Sequence, residues 1–74
     1  MKGIMRIGVA GIGAVGAEVA CSLDCGEVPG CKLSGIAART TEKANALNEI
    51  LKQPVPVLDF RALTEASDCV VEAL

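Results

Sequence analysis

The chain has 74 residues, 51% hydrophobic and 22% charged, which is too apolar for a disordered segment and long enough for one domain or part of one. A net charge of −2, with seven Lys and Arg that never cluster, offers no surface to a nucleic-acid backbone, and no stretch reads as a membrane span or secretion signal. Histidine is absent, so the commonest general acid/base and the commonest metal ligand are both excluded from these residues.

In chain order, Met5–Ala10 is a short apolar run with β-branched residues, predicted to be a buried strand. Gly11-Ile12-Gly13-Ala14-Val15-Gly16 follows. From Ala14 the spacing turns helical. Val15, Val19 and Leu23 repeat at one face, Gly16 and Ala20 flank it, Glu18 and Ser22 point away, and Gly26 with Val28-Pro29-Gly30 ends the helix. Leu33–Ala38 reads as a second strand, completing a βαβ unit. Thr40 or Thr41 then caps a second helix with Ala44, Leu47, Ile50 and Leu51 inside and Glu42, Asn45, Glu49 and Lys52 outside, ended by Pro54. Val55-Pro56-Val57-Leu58 is predicted as a third strand, at the sheet edge because of its prolines. Asp59 caps a brief helix carrying Phe60, Leu63 and Ala66, and Asp68–Leu74 reads as a fourth strand.

The order βαβαβαβ is that of an α/β protein with a Rossmann-type parallel sheet, the amino-terminal portion of a doubly wound dinucleotide-binding domain. With strand order 3-2-1-4, the first two helices cover one face and the third connection crosses to the other. Strand four then keeps an open outer edge, so residues 1–74 are expected to be a partial dinucleotide-binding domain of a longer protein, with no second domain among them. Cys21, Cys25, Cys31 and Cys69 lack the C-x2-C spacing of a zinc or redox pair. They are expected to be buried free thiols of a cytoplasmic protein, ahead of a metal site or a disulfide.

The glycine motif sits where a dinucleotide fingerprint belongs, after a strand and at the start of a helix. Gly11 permits the tight turn, Gly13 lets backbone approach a pyrophosphate, and Gly16 lets the helix pack close. Ile12 and the helix-start amides of Ala14 and Val15 complete the predicted cofactor contacts, with the helix dipole favouring the anion. The residue that selects the cofactor belongs at the end of strand two, about 20 residues on, where an acid would hold a ribose 2′-hydroxyl. Arg39 stands there, with no carboxylate beside it. A guanidinium suits a 2′-phosphate, with Thr40 adding a hydrogen bond, so NADP is favoured and NAD is the alternative. Arg39 stacking on adenine without selecting is the competing reading.

The run Arg6–Gly16, with Leu23-Asp24, Gly26-Glu27-Val28-Pro29-Gly30, Ile36-Ala37-Ala38-Arg39, Pro54–Val57 and Asp68-Cys69-Val70-Val71-Glu72, resembles the amino-terminal part of L-aspartate dehydrogenases. The resemblance implies an NAD(P)-dependent oxidoreductase that converts L-aspartate to iminoaspartate for NAD biosynthesis, with catalytic and oligomerisation functions in a further domain. It implies a homo-oligomeric intact protein that takes its small-molecule substrate through that domain. Family catalysis uses a histidine, so no catalytic residue and no metal ligand is assigned here, and the 74-residue chain alone is expected to be inactive. Ala73 is placed toward the nicotinamide side. Other readings stay open: a dehydrogenase of the glucose-fructose oxidoreductase, inositol dehydrogenase or homoserine dehydrogenase type, a non-catalytic NAD(P) sensor, or a structural domain that binds nothing.

Overall fold

The computed structural model describes residues 3–73. Its elements are β1 (Met5–Ala10), α1 (Ala14–Asp24), β2 (Cys31–Ala37), α2 (Thr41–Ile50), α3 (Phe60–Glu65) and β3 (Cys69–Glu72). The strands form one parallel sheet in the order β2-β1-β3. This is a Rossmann-type α/β fragment, as the sequence pattern predicts. Leu74, the predicted end of the last strand, lies outside the described residues.

The predicted third strand is corrected. Val55–Leu58 runs along the outer side of β2, but only Val57 pairs, in a single parallel bridge to Ile36. The Ile36 N–H donates to the Pro56 carbonyl at 3.1 Å, and the Leu58 N–H donates to the Ile36 carbonyl at 2.9 Å. Pro54 and Pro56 have no N–H to donate, so the ladder cannot extend through them. Asn48 holds the segment instead, its side-chain amide exchanging bonds of 2.9 and 3.0 Å with the Val55 backbone. The edge position is as expected, and the spatial order of segments follows the doubly wound pattern.

Ile7, Val9, Leu33 and Ile36 share a core with Ala20 and Leu23 of α1 and with Ala44, Leu47 and Leu51. Two predicted core residues are not in it. Val15 is 69% exposed and Ile50 is 70% exposed. On α1 the buried positions are Gly16, Ala20 and Leu23. The helix therefore lays its smallest residues on the sheet, and Val19 packs at the margin. At Ile50 the second helix ends, and Leu51, already extended, turns inward in its place.

The opposite face of the sheet is covered by α3 through one side chain. Leu63 is fully buried. A Cβ added at Gly8 would lie 2.7 Å from it, and one added at Gly35 would lie 3.1 Å from it. Two glycines on adjacent strands thus form the hollow that Leu63 fills. The register makes this possible, because β1 and β2 pair Ile7 with Leu33 but Gly8 with Gly35, leaving Ser34 as an extra residue in a bulge. Ser34 Oγ lies 2.7 Å from Ser67 Oγ on the α3 side, so Ser34 and Gly35 face one way while Leu33 and Ile36 face the other.

The amino-terminal ends of β1 and β3 are joined by charge. The Arg6 N–H donates to Asp68 Oδ2 at 2.8 Å, and its guanidinium donates to both Asp68 oxygens at 3.3 and 3.1 Å. These bonds from Arg6 hold the Asp68 carboxyl below the ordinary carboxylate range and raise the guanidinium in turn. The cysteines are free, but Cys25 and Cys69 are exposed and Cys21 and Cys31 are half-buried, which corrects the expectation of buried thiols. Cys25 follows the last turn of α1 and Cys69 begins the edge strand β3, so neither position is enclosed by a second layer.

Candidate functional site

At the carboxyl ends of the strands, β1 leaves the sheet through Gly11, whose φ of 90° lies in the left-handed region that favours glycine. The turn is pinned to both neighbours. The Gly11 N–H donates to the Ala37 carbonyl at 2.8 Å, and the Ala73 N–H donates to the Ala10 carbonyl at 2.8 Å. Gly16 sits directly behind the turn, where a Cβ would fall 1.8 Å from the Gly11 carbonyl oxygen. Helix and turn are therefore in backbone contact, closer than any other residue allows.

Gly13 differs from both. Its φ of −66° is ordinary, and a Cβ there would meet nothing within 4 Å. It is the N-cap of α1 yet has no side chain to cap with, and the first helical bond is from the Ala17 N–H to the Gly13 carbonyl at 2.8 Å. The amides of Ala14, Val15 and Gly16 precede that bond, so they are the helix-start donors that an N-cap side chain would ordinarily engage.

Two hollows meet at Arg39. One, of about 150 Å³, is lined by Gly11, Ile12, Gly13, Ala38, Arg39, Lys43 and Ala73. The other, of about 310 Å³, runs from Ala10 and Ala38 to Leu58, Asp59 and the half-exposed ring of Phe60. Gly11, Ala38 and Arg39 line both. A further, largely apolar groove, lined by Ile7, Val19, Leu23 and Val71 with Glu18 and Ser22, shares no residue with the glycine turn.

No protein-family model matches the chain. It is 44% identical over 70 residues to the L-aspartate dehydrogenase of Methanocella arvoryzae, covering 95% of this chain and 26% of that protein. Identity is 41% over 68 residues to the L-aspartate dehydrogenase of Bradyrhizobium diazoefficiens, covering 92% and 24%. The chain matches the amino-terminal part of L-aspartate dehydrogenases. A third relative, L-aspartate dehydrogenase 3 of Bordetella bronchiseptica, is 36% identical over 68 residues, covering 92% of this chain and 25% of its own length. The chain thus spans about a quarter of the length of the curated relatives it matches.

The fold brings Gly11, Ile12, Gly13 and Arg39 around one hollow, with Gly16 behind Gly11. Ala14 and Val15 stand exposed at the helix start, presenting backbone. Thr40 is the N-cap of α2, its Oγ1 accepting from the Lys43 N–H at 3.4 Å, and its hydroxyl proton remains available to a second partner. Lys43 and Phe60 line the hollows without having been singled out from the sequence. Both occupy the first turn of a helix that begins at the carboxyl edge of the sheet, the side on which open α/β sheets bind ligands.

Proposed function

We propose that this chain is the cofactor-binding part of an NAD(P)-dependent dehydrogenase that oxidises L-aspartate to iminoaspartate. Gly13 carries the reading. Gly11 and Gly16 are required by the fold itself, whereas Gly13 has ordinary dihedrals and open space around it. Bare backbone beside uncapped helix-start amides is what a pyrophosphate needs in order to approach. The L-aspartate specificity rests on the similarity to the named dehydrogenases.

The nicotinamide, when bound, accepts the hydride that leaves the substrate Cα. The residues of this chain bind and orient. The amides of Ala14, Val15 and Gly16 donate to the pyrophosphate, and the dipole of α1 adds to the attraction without a basic side chain. Arg39, at the end of β2, meets the adenosine ribose and favours the 2′-phosphate of NADP over the bare hydroxyl of NAD. Ala73 faces the nicotinamide side from the end of β3. Substrate contacts, the acid/base group and subunit contacts come from the rest of a chain of the relatives' length, and the 74 residues alone turn over no aspartate.

The test is Gly13→Val, assayed by calorimetric titration with NADPH and NADH and by urea unfolding. Both affinities should fall at least tenfold, while stability changes by about 1 kcal/mol or less, as for other N-cap replacements. Unchanged affinity for both cofactors would remove the glycine turn from the site. Reduction of NAD(P) by the full-length protein with L-aspartate tests the substrate, and activity confined to another substrate would overturn that assignment.

A further inference from the structure

We propose that Lys43 is the second cation of a two-cation site for the cofactor's 2′-phosphate, acting together with Arg39. The inference rests on the cofactor reading above and adds a specificity-determining residue to it. Arg39 and Lys43 line the same small hollow, and no acidic residue lines it with them. Among the described residues, Arg6 and Arg61 pair with acids, but neither Arg39 nor Lys43 has an ion-pair partner. Two cations facing one cavity without an acid repel each other. A phosphate monoester, which carries about −1.5 to −2 at neutral pH, offsets both charges at once.

Helix geometry explains the convergence. Arg39 immediately precedes the Thr40 cap, and Lys43 is the third residue of α2. Side chains on a helix tilt toward its amino terminus, so the Lys43 stem leans back over the turn that carries Arg39. On the far wall of the same hollow stand Gly11 and Gly13, whose turn offers amides to the pyrophosphate. The hollow therefore divides by chemistry: backbone donors on the α1 side, formal charge on the α2 side. The pyrophosphate is common to both cofactors and is served by the first. Only NADP has a phosphate for the second.

The opposite side of Arg39 has a different character. The hollow there is walled by Ala37, Ala38, Leu58 and Phe60. Its one acid, Asp59, caps α3 by accepting from the Ala62 N–H at 2.7 Å. An apolar slot with an aromatic face suits a base and not a phosphate, which leaves the Lys43 side for the 2′ group.

The experiment measures dissociation constants of NADPH and NADH by calorimetry, at matched ionic strength, for the wild type, Lys43→Ala, Lys43→Arg and Gly13→Val. Lys43 is exposed on α2, so its replacement by alanine leaves the helix intact. Lys43→Ala should weaken NADPH about tenfold and leave NADH within about twofold, the size of one lost charge-assisted contact. Lys43→Arg should restore most of the NADPH affinity. If Lys43→Ala weakens both cofactors alike, or neither, the assignment is wrong. If Gly13→Val abolishes binding while the NADPH to NADH ratio ignores Lys43, only the second cation falls. If Gly13→Val has no effect on either cofactor, the cofactor reading falls as well.

Discussion

Replacing Gly16 by alanine adds one carbon and two hydrogens, and that carbon would sit 1.8 Å from the Gly11 carbonyl oxygen and 2.8 Å from the carbon that bears it. Real Cβ atoms essentially never come within 3.0 Å of such a neighbour. Neither partner can rotate away, because both are backbone. The helix start must lift by about 1.2 Å, or the turn must move with it. The turn is held by the Gly11 to Ala37 bond and by its φ of 90°, so the helix yields first. Overpacking of this kind costs about 3 kcal/mol, the upper end of its usual range, and alanine recovers about 1 kcal/mol of helix propensity. The net loss expected for Gly16→Ala is about 2 kcal/mol, read as a lower urea midpoint at unchanged m-value. Cofactor affinity should fall with it, because the lifted turn is the one that carries the Ala14 and Val15 amides. A variant within about 0.5 kcal/mol of wild type would show that helix and turn are not in backbone contact, and would refute the geometry on which the site depends.

Arg39→Ala should weaken NADPH by about 1.5 kcal/mol, the low end for a charged hydrogen bond because the residue is exposed, and leave NADH nearly unchanged; an equal loss for both would assign Arg39 to the adenine. Asp68 should make stability pH-dependent. Its carboxyl is held below the ordinary value of 3.8 by Arg6, so its contribution is present above that value and is lost as pH falls through the depressed one. Asp68→Asn should therefore unfold at lower urea than wild type at pH 7, with the difference closing in strong acid, and a constant difference across that range would contradict the pairing.

The βαβ unit was legible because each boundary has its own local chemistry. Thr40 and Asp59 cap the helices the sequence assigns to them, and both bonds are formed. What periodicity could not supply was the orientation of α1. A repeat of Val15, Val19 and Leu23 marks an apolar stripe, but close approach to the Gly11 turn selects Gly16 and Ala20 for the interface and leaves Val15 outside. The predicted third strand failed for a reason visible in its own residues. Two prolines permit a neighbour but not a ladder. In the site, Gly11 and Arg39 could be named from spacing alone. Lys43 could not, because its relevance arises from the backward tilt of a side chain one turn into α2, and the only sequence signal is its place three residues after a threonine cap.

The bulge at Ser34 has a consequence well beyond its own position. A strand keeps count in twos, and every residue's side is the parity of its distance from the start. One extra residue reverses that parity for everything downstream in β2. Leu33 and Ile36, an odd number of steps apart, can both enter the core only because the count is reset between them. Gly35, Ile36 and Ala37 lie past the reset, so the faces of the strand's last residues are decided where Ser34 meets Ser67. Were Ser34 to pair with Gly8 in an unbroken ladder, Ile36 would turn out of the core and the rest of the strand would change faces with it.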